Sequence, residues 1–181
     1  MKTLTAEQQA KITPDLAIQL LKDGNKRFVE NTKINRNLME QVNQTSEGQY
    51  PFATILSCID SRVSAELVFD QGIGDIFSIR IAGNIVNKDI LGSMEFASKV
   101  AGTKAIVVLG HTNCGAVKGA CDGVELGNLT HLLDKITPAM DLIDDPKEKS
   151  LRNSKNIDFV DAVANANVDR TVEMIRKNSP I

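Results

Sequence analysis

The sequence has no tryptophan, a single tyrosine, two histidines and only three cysteines in 181 residues. So small and odd a set of cysteines excludes a disulfide framework and leaves reduced thiols, metal ligands or core packing as their uses. An excess of charge of either sign is also missing. Lys and Arg total 21 against 23 Asp and Glu, a net charge of −2, which gives no electrostatic reason to expect nucleic acid or an anionic membrane as partner. No apolar run approaches the ~20 residues of a membrane span, and the start, "MKTLTAEQQAKITPDLAIQ", lacks the apolar core of a secretory signal. A cytoplasmic protein is expected, or a periplasmic one if an export signal has been removed. Internal repeats, low-complexity tracts and Pro/Gly/Ser-rich linkers are absent as well, so one domain over 1–181 is the expectation. With 42% hydrophobic and 24% charged residues, the composition is that of an ordinary globular protein acting on small molecules.

What is present divides at about residue 50. Before it, "PDLAIQLLKDGNKRFVEN" (14–31) places Leu16, Leu20, Leu21 and Phe28 on one helical face, with Ile18 at its margin and Pro14 suited to a first turn. The Asn-, Gln- and Ser-rich stretch 32–50 reads as an irregular arm with a short helix near 37–42. After it come three strand-sized apolar runs rich in β-branched residues, "FATILSC" (52–58), "DIFSIRIAG" (75–83) and "KAIVVLGH" (104–111). Helix-compatible stretches separate them at 65–69 and 91–101, and further helices are expected at 114–121, 126–136 and 157–177. Apolar strands alternating with helices specify an α/β fold with a mainly parallel sheet covered on both faces, preceded by an N-terminal helical arm.

Functional groups of open parallel sheets gather at the carboxyl ends of the strands. The first run ends at Cys58, followed by Asp60 and Arg62 in "CIDSR", and the third ends in "GHTNCG", which supplies His111 and Cys114. An imidazole and a thiol three residues apart can reach one ion from a single turn, and a thiol at a neighbouring strand end can add a third ligand. Such a soft donor set suits zinc. A lone buried cysteine is more often a small core hydrophobe, but Asp60 and Arg62 have no packing reason to stand beside one. Cys121 and His131 lie outside these motifs and read as a helix-packing residue and a helix-surface or packing residue.

The pair "CIDSR" and "GHTNCGA", with "FDQGIGDIFSIRIAGN" and "GSMEFA" between them in order, resembles the β-class carbonic anhydrases, whose signature is CxDSR followed by HxxC. The resemblance runs from about residue 14 to the end. It implies one catalytic zinc per chain held by Cys58, His111 and Cys114, with water in an open fourth position or Asp60 as the alternative fourth ligand. It also implies a dyad in which Arg62 keeps Asp60 ionised and oriented toward the nucleophile, as a charge-assisted pair would. The implied activity is reversible hydration of CO2 to bicarbonate and a proton, with zinc lowering the pKa of bound water toward roughly 7. Two thiolates make the metal a weaker Lewis acid than three imidazoles would, so a higher pH optimum follows.

In the plant-type branch of that family the CO2 slot lies across a dimer interface, and the matching residues here are Gln49, Phe77 and Phe96. A homodimer or dimer-based tetramer is therefore implied. Another branch carries a bicarbonate pocket of Trp, Arg and Tyr. Arg80 stands at its arginine position, but Ile55 replaces the tryptophan and Tyr50 is too far upstream, so that pocket is not expected. Family members usually continue past the last helix with a further strand, and "IRKNSPI" reads as the start of that continuation. Two alternatives stay open: hydrolysis of a linear relative of CO2 such as COS or CS2, and zinc binding without catalysis. A thiol redox protein is disfavoured, because Cys58 and Cys114 do not form a CxxC pair.

Overall fold

The computed structural model describes residues 2–181. Its sheet is three-stranded and parallel, with β1 (Ala53–Ser57) between β2 (Ile76–Arg80) and β3 (Ala105–Leu109). Helices α1 (Ala6–Ala10), α2 (Pro14–Val29) and α3 (Leu38–Gln44) precede the sheet. The short α4 (Ala65–Val68) joins β1 to β2, and α5 (Lys88–Glu95) joins β2 to β3. After β3 come α6 (Gly115–Cys121), α7 (Gly127–Leu133), α8 (Thr137–Met140) and α9 (Ile157–Asn178). The strands end level, since Ser57 is in register with Arg80 on one side and Leu109 on the other. Among the described residues no helix is long and apolar enough to cross a membrane.

β1 is buried along its whole length, and its alternating side chains divide the core into two faces. Ala53 and Ile55 pack with Ala17 and Leu21 of α2 and Ala65 of α4. Leu56 faces the other way, onto Ile90 and Met94 of α5. Thr54, also on that face, spends its hydroxyl on Thr103 at 3.3 Å, so a polar residue is tolerated in a fully covered strand. Burial of side chains such as Ile55 and Leu56 contributes about 1.5–3 kcal/mol each. A third cluster gathers Val117 of α6, Ile136, Ala139 of α8, and Phe159, Val160 and Val163 of α9 around Cys58 and Cys114. Its rim is the carboxyl end of the sheet.

The three apolar runs are the three strands, and the helices fall close to their expected places. Two details differ. On α2 the buried positions are Ala17, Leu21 and Gly24, while Leu16 and Phe28 are exposed. Gly24 decides this: a Cβ there would lie 1.8 Å from the carbonyl oxygen of Phe69, so the buried stripe runs through Ala17, Leu21 and Gly24 with Leu20 packed at its side, and Leu16 and Phe28 fall off it. The helix expected at 91–101 begins at Lys88, capped by Asn87, whose side chain accepts from Ile90 N–H at 2.9 Å. It finishes in a π turn over Phe96–Val100, where the Ala101 N–H reaches back to Phe96 O. The arm is fastened by buried Asp70, which accepts from Arg27, from Arg36 and from Ile34 N–H.

Candidate metal centre

Cys58 is the first residue beyond β1, His111 the second beyond β3, and Cys114 stands at the N-cap of α6. Because β1 and β3 are parallel neighbours with level ends, the three meet. One ligand atom from each lies within 4.8 Å of the others, and the two sulfurs are 3.9 Å apart. Both thiols are buried, and the His111 side chain is only 8% exposed. His111 Nδ1 sits 2.8 Å from Thr112 O, which places the proton on Nδ1 and leaves Nε2 as a lone-pair donor. Nε2 is buried with no hydrogen-bond partner among the described residues. An orphaned imidazole nitrogen facing two thiols is costly as a dry core and suits a metal ion.

The electrostatics of the thiols agree. The hydrogen bond from the Cys114 thiol pulls the Cys58 pKa down. Burial opposes this, and the N–H groups of Gly83 and Asp60 assist it. Cys114 moves the other way, raised by that same hydrogen bond and by burial. The contact between the two thiols thus favours ionisation at Cys58 over Cys114. Gly83 N–H donates to Cys58 Sγ at 3.4 Å from a 3-10 turn, Ala82–Asn84, that follows β2. Gly83 has φ +65°, and a Cβ would meet Ile136 Cδ1 at 2.5 Å, so both backbone shape and space require glycine there.

Asp60 and Arg62 form a two-point pair beside the cluster. Arg62 Nε donates to Asp60 Oδ1 at 2.9 Å, Nη2 donates to Oδ2 at 2.7 Å, and the Arg62 N–H adds a third bond to Oδ1 at 3.0 Å. These side-chain bonds, then the backbone one, hold the Asp60 carboxyl well below the usual carboxylate range. Its Oδ2 is 3.9 Å from His111 Nε2, so an ionised carboxylate looks onto the place where a metal would lie. Arg62 is itself mostly exposed. Asn113, in the left-handed region at φ +54°, shapes the turn between His111 and Cys114, and Lys118 Nζ donates to its side-chain oxygen at 2.8 Å.

Phe77 and Phe96 line one cavity of about 650 Å³ on the β2–α5 side of the molecule. None of the three metal-site residues lines it. Gln49 is exposed and outside that lining. Ile55 is fully buried in β1, and Arg80 donates to the carbonyls of Cys58 and Asp60. Cys121 is buried in the third cluster, its thiol pushed up to about 11 chiefly by that burial. His131 lies on the surface of α7. Sequence reasoning missed Gly83, Asn113 and the use made of Arg80. The glycine in "RIAGN" and the Asn between the two ligands were the available signals.

Comparison with known proteins places this geometry. A family model described as carbonic anhydrase matches residues 53–181. A carbonic anhydrase of Mycolicibacterium smegmatis is 38% identical over 133 residues, covering 70% of this chain and 65% of that protein's length. A carbon disulfide hydrolase of Saccharolobus solfataricus is 35% identical over 105 residues, 58% of this chain and 44% of its own length. Among solved structures, a Coccomyxa β-carbonic anhydrase in complex with acetazolamide superposes with a TM-score of 0.69 at 25% identity, covering 89% of this chain and 72% of that one.

Proposed function

The chain belongs to the carbonic anhydrase family, and we propose that it catalyses the reversible hydration of CO2 to bicarbonate and a proton. The observation that carries this reading is the buried cluster of Cys58, His111 and Cys114 with the His111 Nε2 lone pair unpartnered beside the Asp60 carboxylate. We assign the two sulfurs and Nε2 as the ligands of one zinc ion. When bound there, zinc supplies Lewis acidity that turns water into a nucleophile near neutral pH.

The chain's own residues do the rest. Asp60, kept ionised by Arg62, accepts a hydrogen bond at Oδ2 from the attacking water and fixes its direction. Arg62 takes no proton, since its guanidinium is raised further above its ordinary value by the same pair. His111 is committed through both ring nitrogens and cannot act as a shuttle, and His131 lies on the surface of α7, so the released proton goes to buffer. Phe77 and Phe96, which share a cavity lined by none of the chain's own ligands, are the apolar wall that one subunit offers the site of another in a homodimer or dimer-based tetramer, with Gln49 as its polar member.

The test is the stopped-flow CO2 hydration rate of zinc-loaded protein from about pH 6.5 to 9, with metal determined on the same sample. Activity rising with pH supports the reading. Cys58→Ser and His111→Ala are expected to lose zinc and activity together, and full zinc occupancy in either variant would remove it from the ligand set. The likeness to a carbon disulfide hydrolase favours one second reading, hydrolysis of CS2 or COS at this site. Competition between CO2 and CS2 for one zinc-loaded sample separates the two.

A further inference from the structure

The ladder between β1 and β2 has its last rung where Ser57 pairs with Arg80, and Ile81 N–H donates to Ser57 O at 3.0 Å. Beyond that rung β1 leaves the sheet, and its next carbonyls have no strand to bond. The side chain of Arg80 bonds both, sharing Asp60 O with the Val63 N–H at 3.1 Å. Its Nε donates to Cys58 O at 3.0 Å and its Nη2 to Asp60 O at 2.7 Å. One planar fork therefore grips the backbone on both sides of Ile59, at the residue that carries a sulfur ligand and at the residue that carries the carboxylate. A guanidinium has the fixed multi-donor geometry for this, and an ammonium does not.

We propose that Arg80 is a positioning residue of this site, fixing the 58–60 turn so that Cys58 Sγ faces the other two ligands while the Asp60 carboxylate stays beside them. Its action differs from that of Arg62. Arg62 binds the Asp60 carboxylate and leaves the ligand alone, whereas Arg80 binds only backbone and holds ligand and carboxylate at a set separation. The proposal rests on the reading of Cys58 as a zinc ligand and Asp60 as the group that orients water.

The test compares the zinc-loaded parent with Arg80→Ala, Arg80→Lys and Arg62→Ala. Zinc affinity is read by competition with a chromogenic chelator, CO2 hydration gives kcat and KM, and both are repeated with added methylguanidinium. Arg80→Ala is expected to lose roughly 10- to 100-fold in both zinc affinity and kcat, the range for partners that orient metal ligands, with KM little changed. Methylguanidinium should restore part of the Arg80→Ala loss and do nothing to the parent. Arg62→Ala should lose kcat while keeping zinc affinity. Parent-like zinc affinity and kcat in Arg80→Ala would overturn the proposal. So would full function in Arg80→Lys, which keeps the charge and the stem but cannot span two carbonyls, and this comparison decides the matter should Arg80→Ala fail to fold. A parent that binds zinc but hydrates no CO2 removes the functional reading instead, and the zinc-affinity comparison then settles the role of Arg80 alone.

Discussion

Gly110 is where β3 hands the chain to His111, and α9 passes close behind it. A Cβ at Gly110 would lie 2.6 Å from Val168 Cγ2 and 3.9 Å from Ala164 O. Carbon atoms settle at roughly 3.5–4.0 Å, so Gly110→Ala must find about an ångström of room. Val168 cannot swing aside, because a β-branched residue in a helix has one strongly preferred χ1. Either α9 backs away from the cluster it forms with Phe159, Val160 and Val163, or the turn moves and carries the His111 ring with it. Over-packing of this kind costs about 1–3 kcal/mol, and displacement of a ligand should weaken zinc binding by about 10-fold or more. Val168→Ala alone removes two methylenes' worth of partly buried surface, about 1 kcal/mol. In the double variant the collision is gone, so it should be more stable than Gly110→Ala alone, with a coupling of about 1 kcal/mol or more. Urea unfolding of the four proteins, with zinc affinity measured on each, reads both effects. Costs that simply add to within about 0.5 kcal/mol, with zinc affinity unchanged, would refute the idea that this contact sets the position of His111.

Asp60→Asn should keep its place and the metal while lowering the CO2 hydration rate by roughly 10- to 100-fold; parent-like rates at full zinc content would mean that the carboxylate does not orient the nucleophile. Asp70→Ala leaves Arg36, whose side chain is 7% exposed, and Arg27 without their counter-ion, and should cost about 3–5 kcal/mol in urea unfolding at neutral pH. Burial works against ionisation of Asp70 but is outweighed by the hydrogen bonds from Arg27, Arg36 and the Ile34 N–H, so its carboxyl titrates below its ordinary value. A depressed native pKa means stability that is fully present above the unfolded value of about 3.9 and is lost as pH falls through the native one. The gap between parent and Asp70→Ala should therefore hold near neutrality and close in acid, and a gap that widened in acid would reverse the assignment. Phe96 is more than half exposed, so Phe96→Ala should leave unfolding within about 0.5 kcal/mol of the parent but reduce association in sedimentation and activity together; unchanged association would separate Phe96 from any subunit interface.

The parts of this fold legible in the sequence are those governed by short-range pattern. Near-continuous apolar runs with β-branched residues mark all three strands; the rule that a central parallel strand is apolar on both faces holds for β1, buried at all five positions, while the edge strands β2 and β3 are only partly buried. The gathering of Cys58, His111 and Cys114 was legible because these residues sit at strand ends in two short motifs. What escaped depended on partners far away in sequence. Leu20 and Leu21 of α2 do face the core, but Leu16 and Phe28 do not, because the inward stripe runs through Gly24, which meets the backbone of Phe69, a contact that no helical periodicity contains. The role of Gly83 depends on a thiol 25 residues earlier, and that of Arg80 on two carbonyls in a neighbouring strand's exit. Backbone acceptors leave no mark in a sequence, so side chains that act on them look like ordinary surface residues.

The strand order β2-β1-β3 explains why these roles are divided as they are. β1 leads into the segment that holds both the Cys58 thiol, a proposed ligand, and the Asp60 carboxylate, and it is central, so it has a neighbour on each side. β3 on one side delivers the other two proposed ligands, His111 and Cys114. β2 on the other delivers no ligand but supplies the groups that hold the β1 exit in place, the Arg80 fork on two carbonyls and the Gly83 N–H on the sulfur. Were β1 at an edge, its exit turn would have either ligands to meet or a brace to rest on, not both. The chemistry of the site is thus set on one side of the central strand and its geometry on the other. By the same reasoning, substitutions at the end of β2 should disturb the metal centre although β2 contributes nothing that could touch a metal.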